Sequence, residues 1–192
     1  AYKDSGVEWL GEVPEHWEGL RLRFAVTLNP SKQEARSYAD YDLVSFLPME
    51  AIGEDGSLSL EIEKEVGECL NGYTYFMEGD VCIAKITPCF ENGKGAILRG
   101  LKGGIGFGTT ELIVARPREE RLTAEFLDYL FRSNPFRALG EAAMYGAGGQ
   151  KRVPDAYVRD FSAFLPSLNE QQAIATFLDR ETAKIDALIA EQ

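Results

Sequence analysis

The chain has 192 residues, 45% apolar and 27% charged, an ordinary balance for a folded domain with a core of useful size. No apolar run approaches the roughly 20 residues that cross a bilayer, the opening Ala-Tyr-Lys-Asp-Ser-Gly is too polar for a secretory leader, and Cys69, Cys82 and Cys89 show no C-x-x-C spacing, which fits a reducing cytoplasm. With His16 the only histidine, His-rich metal sites and an ordinary Ser-His-Asp triad are nearly excluded, unless His16 is itself the base.

The net charge of −11 has the wrong sign for a simple nucleic-acid binder, yet it is unevenly spread. Residues 31–80 set 3 Lys/Arg against 12 Asp/Glu, a local −9, whereas residues 81–160 set 12 against 9, a local +3. A basic face on an acidic body is therefore compatible with the sequence, together with weak non-specific binding by the chain alone.

Residues 1–24 hold both tryptophans among short apolar spots broken by Gly and Pro. They are expected to form an irregular arm lying on the domain, with the turn Pro14–Trp17 plugging Trp17 into the core. His16, without a partner at matched spacing, is a structural or surface residue. Asp42–Met49 has strand composition, with Pro48 favouring an edge or a terminal position. Gly53–Gly56 is a turn, and over Ser57–Val66 the residues Leu58, Leu60 and Ile62 alternate with polar ones like a half-buried strand.

Gly79–Thr87 is the clearest strand. Asn92-Gly93 then stands between two apolar runs, the strongest short hairpin signal, with Lys85, Lys94, Arg99 and Lys102 around it. Gly103–Glu111, ending in Thr109-Thr110-Glu111, is expected to be a loop leading into a strand over 112–115; it lacks the Lys-Ser/Thr of a phosphate-binding loop. Thr123 caps a helix whose Phe126, Leu127, Leu130 and Phe131 form one apolar stripe. Asn134 and Pro135 start a second helix as cap and first residue.

Gly140–Pro154 contains glycines at 140, 146, 148 and 149 and presents Tyr145, Gln150, Lys151 and Arg152 together. Gln and Arg make bidentate bonds to base edges and Lys neutralises phosphate; a surface loop with two solvated cations is the simpler alternative. A short strand over Asp160–Pro166, alternating Phe161, Ala163 and Leu165, follows. From Asn169, expected to cap with Gln172 as capping-box partner, nothing breaks a helix to Gln192. Ile174, Leu178, Ile185 and Leu188 repeat like a coiled-coil seam along roughly 35 Å of helix, and no stop signal follows. The seam calls for a partner helix or a chain that continues.

No Asp/Asn-Pro-Pro-Tyr/Phe signature is present, and none of the eight lysines has an acidic residue two positions before it, as metal-dependent nucleases require. The expectation is a binding protein with no catalytic residue, no metal and no cofactor. Two rivals stay open: an assembly scaffold without DNA affinity, and a DNA-acting hydrolase with an unrecognised site.

Four ordered blocks, Tyr2–Trp17, Gly79–Ile97, Gly146–Pro154 and Leu168–Ile189, resemble the specificity subunit of type I restriction–modification systems over nearly the whole chain. The resemblance implies an α+β target recognition domain, with a twisted, mainly antiparallel sheet and flanking helices, over 1–166. A long spacer helix would begin in 167–192. It implies a non-catalytic module that reads one half of a bipartite double-stranded DNA target and places methyltransferase and restriction subunits on it. Only one such half is present, so a second half, or a homodimer through the last helix, would complete it. Carried onto matching positions, the DNA-facing candidates are Lys85, Thr87, Asn92 and Lys94, with Tyr145, Gln150, Lys151 and Arg152; Thr109, Thr110 and Glu111 are added from the neighbouring loop. Asn92 could equally serve only its turn, and Thr87 could simply end a strand.

Overall fold

The computed structural model describes residues 1–147 and 149–190; Gly148 of the glycine-rich stretch and the last two residues of the expected spacer helix lie outside them. The arm forms a hairpin of β1 (Tyr2–Asp4) and β2 (Glu12–Pro14), followed by β3 (Glu18–Arg21). Then come β4 (Val26–Leu28), β5 (Leu43–Leu47), β6 (Glu63–Glu65), the single turn α1 (Val66–Cys69), β7 (Thr74–Met77), β8 (Val81–Ala84) and β9 (Gly95–Ile97). β10 (Ile105–Gly108), β11 (Leu112–Pro117), α2 (Ala124–Arg132), α3 (Asn134–Ala142), α4 (Asp155–Asp160), β12 (Ser162–Leu165) and α5 (Leu168–Ala190) complete the chain.

The strands build two four-stranded sheets, ordered β4-β11-β8-β9 and β6-β5-β10-β7, where one sheet was expected. Every pairing is antiparallel except β5 with β10. The side-chain alternation of a strand sorts the core into layers. Val81, Ile83, Ile113 and Ala115 face α2 and α3, meeting Leu127, Phe131 and Phe136. Their neighbours Cys82, Leu112 and Val114 face the other way, onto Leu47 and Phe76 of the second sheet. That sheet's far face carries Val44, Phe46, Tyr75, Ile105 and Phe107.

Several local expectations change. The glycine-rich run at 103–111 contains a strand, β10, with neighbours on both sides. Its glycines are there for closeness: a Cβ on Gly106 would lie 2.4 Å from the Phe76 ring and 2.8 Å from the Ser45 carbonyl. β5 is likewise interior, with Pro48 just past its end. Of the alternating stretch 57–66 only Glu63–Glu65 form a strand, β6; Leu58 and Leu60 pack on the inter-sheet core while Ile62 is exposed. Ser133, not Asn134, caps α3, accepting from the Phe136 N–H. α4 was not foreseen. The α2 prediction holds, with Thr123 accepting from the Phe126 N–H.

The arm does not plug Trp17 into the core: Trp17 is half-buried, and Val13 and Leu22 are the deeply buried residues there. Trp9 instead stacks on Phe161 at 5.8 Å between ring centroids, and β3 pairs with β12. The start of α5 is fastened more firmly. Ser167 and Glu170 form the capping box expected at Asn169 and Gln172, with Glu170 accepting from the Ser167 N–H and hydroxyl at 3.0 and 2.8 Å. Glu170 also meets His16 of the arm at 2.7 Å, and these bonds, His16 first, hold its carboxyl down to about 2. The fully buried Gln171 amide accepts from the Thr123 N–H and donates to the carbonyls of Arg121 and Pro166 at 2.8–3.0 Å. Buried polar groups are tolerated when so satisfied.

Candidate nucleic-acid interface

Where β8 ends and β11 begins, three further segments extend the first sheet. The Glu111 carbonyl accepts from the Lys85 N–H at 2.8 Å, and the Lys85 carbonyl accepts from the Val153 N–H at 2.8 Å. The Thr87 N–H donates to the Lys151 carbonyl at 2.9 Å. Arg152 in turn exchanges two backbone bonds with Tyr145, at 3.1 and 2.9 Å, closing the glycine-rich stretch into a loop. A rim results that carries Lys85, Thr87, Glu111, Tyr145, Gln150, Lys151 and Arg152. Block by block, the second and third sequence motifs meet here, just as the first and fourth meet at His16 and Glu170.

The side chains on this rim are in different states. Tyr145 is 62% exposed, and Gln150 and Lys151 are exposed. Among the described residues, neither Lys85 nor Lys151 makes a side-chain ion pair. Arg152 is not a solvated cation: its Nε and Nη2 donate to the two Glu111 oxygens at 2.9 and 2.7 Å, and its Nη1 donates to the Gln150 carbonyl at 3.2 Å. The Arg152 hydrogen bond holds the Glu111 carboxyl below its usual range. The Thr87 hydroxyl donates to Glu91 at 2.7 Å. Thr109 accepts from the Glu111 N–H and shapes the turn into β11.

Asn92 and Lys94 lie elsewhere. Asn92-Gly93 is not a two-residue hairpin, because the β8–β9 register leaves ten residues, 85–94, between the strands. The Asn92 amide donates to Glu54 at 2.9 Å, and the Lys94 ammonium donates to the Met49 carbonyl at 3.1 Å. Arg137 of α3, which the sequence did not single out, donates to the carbonyls of Phe90 and Gly93 and lies over the Phe90 ring. The structure also adds a cleft beside the rim in which Asn29, Lys32 and Tyr73 join Lys85 and Thr110. Asn29 is the one non-glycine at positive φ among the described residues, at 45°, and the Asn29-Pro30 pair was the only signal for it.

The expected seam on α5 divides. Ile174 and Leu178 are half-buried, on a segment where α5 packs beside α2 and Tyr129 donates to Asp179 at 2.7 Å. Ile185 and Leu188 are 56% and 62% exposed.

No family model matches the chain. Two curated relatives from Escherichia coli do. The type I restriction enzyme EcoEI specificity subunit is 43% identical over 169 residues, covering 86% of this chain and 28% of its own length. The EcoAI specificity subunit is 44% identical over 165 residues, covering 85% and 27%. The chain belongs to the type I specificity-subunit family. It spans little more than a quarter of the length of these relatives.

Solved structures agree on the fold. The HsdS subunit from Thermoanaerobacter tengcongensis superposes with a TM-score of 0.73 at 20% identity, over 92% of this chain and 44% of that one. A chain from a study of complex assembly and conformational transition of the type I R-M system gives 0.74 at 20% identity, over 93% and 46%. At such identity the likeness speaks for the specificity-subunit fold alone.

Proposed function

We propose that this chain is the part of a type I specificity subunit that reads one half of a bipartite double-stranded DNA target. It would place methyltransferase and restriction subunits on that target in the cytoplasm and perform no chemistry itself. Residues 1–166 would form the recognition unit and 167–192 the start of the spacer. Ile174, Leu178, Ile185 and Leu188 would face a second specificity half or a second copy. The observation that carries this reading is the 43–44% identity to two specificity subunits over most of the chain. The gathering of Lys85, Tyr145, Gln150, Lys151 and Arg152 on one rim supports it. Cations there would set register on phosphates while neighbouring side chains read base edges.

The net charge of −11 favours one rival, a scaffold with no DNA affinity of its own. Lys151→Ala with Arg152→Ala, in the assembled methyltransferase complex, separates the two. Target binding should weaken and the salt dependence should flatten by about one unit of log–log slope per lost phosphate contact, with assembly intact by sedimentation. Unchanged affinity and methylation would remove this loop from the interface.

A further inference from the structure

The Arg152–Glu111 pair differs from an ordinary surface ion pair, which contributes little because two long side chains must be ordered to make it. Both partners here start from fixed backbones. Glu111 accepts at its carbonyl from Lys85 and donates its N–H to Thr109; Arg152 is bonded to Tyr145 in both directions. The two side chains are only 24% and 34% exposed. Guanidinium geometry decides what remains. Of five N–H groups, Nε and one on Nη2 go to the carboxylate and one on Nη1 goes to the Gln150 carbonyl. One N–H on Nη1 and one on Nη2 have no partner among the described residues. Two donors on one rigid plane match the paired acceptors O6 and N7 of a guanine in the major groove.

We propose that Glu111 is a positioning residue that clamps Arg152 so that its remaining donors select guanine at one position of the target. This rests on the DNA-reading function proposed above. The carboxylate itself would not touch DNA; its charge would also offset that of Arg152, so that the arginine acts by geometry more than by general attraction to phosphate. An unclamped arginine would still bind the backbone but would choose its base poorly.

The test is selection from a randomised duplex library by the full-length specificity subunit assembled with its methyltransferase subunits. The wild type should enrich a motif with at least one guanine-selective position, and Arg152→Lys should lose that selectivity while keeping the salt slope. Glu111→Gln should relax the same position by roughly tenfold, the scale of one bidentate base contact, leaving the other positions in place and the protein folded at the temperature of the selection. Glu111→Ala should do the same, so the result does not hang on one substitution. If Arg152→Lys erases the guanine and both Glu111 variants keep it, the clamp is irrelevant and the proposal fails. If the Glu111 variants change a cytosine position instead, the carboxylate reads a base directly, which also overturns it. Enrichment of no motif by the wild type would refute the DNA-reading function itself.

Discussion

In the loop around Asn92 the side chains of Asn92 and Lys94 are both bonded within the domain. The Asn92 amide is bonded to Glu54, the Lys94 ammonium to the Met49 carbonyl, and Arg137 closes the loop from α3 through two carbonyls. In the rim, Tyr145, Gln150 and Lys151 stand in solvent, and Arg152 is held by one carboxylate with donors to spare. The two regions have similar composition: glycines, a lysine, an amide. What separates them is whether a polar group already has a partner within the domain. A group whose hydrogen bonds are satisfied internally gains little from meeting a ligand, while an exposed or half-satisfied one has capacity left for it.

The sharpest way to break this contrast is Arg137→Ala. Hydrogen bonds from a charged donor are worth about 1.5–3 kcal/mol, and burial already pushes the Arg137 guanidinium down to about 10. Urea unfolding should show a loss of that order, while the salt slope of DNA binding stays as in the wild type. A changed slope with unchanged stability would place the Asn92 loop on DNA after all. Asn92→Ala should cost less, about 0.5–1 kcal/mol for one solvent-exposed bond to the Glu54 carboxylate, again with no effect on target affinity measured under folding conditions.

The smallest effect concerns pH and sharpens the rim side. Because Arg152 depresses the Glu111 carboxyl, the stabilising contribution is full above the ordinary value of 4.5 and disappears as pH falls through the depressed one. Denaturation midpoints of wild type and Glu111→Gln should therefore differ at neutral pH and converge in acid. A gap that persists at the acid end would mean the pair contributes nothing through its charge.

How much of this was legible beforehand depended on the range of the interaction. α2 could be read because its cap and apolar stripe lie within nine residues. The α5 helix was read correctly, but its cap was placed two residues late, since Ser167 follows a proline and looked like loop. β10 was misjudged because the glycine-rich run 103–111 was read as a loop, when Gly106 makes room for a ring thirty residues away in sequence. The candidate residues were chosen by type. Which of them share a surface was hidden, because that depends on Lys85 pairing with Val153, and no local pattern records a pairing across 68 positions. Arg137 and Asn29 were missed for the same reason: each acts through a neighbour distant in the chain.

The ribbon of β3 and β12, the Ser167–Glu170 cap and the Gln171 amide together orient α5, and they use none of the rim residues. A replacement confined to 145–152 or to the residues around Glu111 therefore leaves untouched the contacts that aim the helix. On the proposed reading, the DNA-facing rim can be reshaped while α5 keeps its seating.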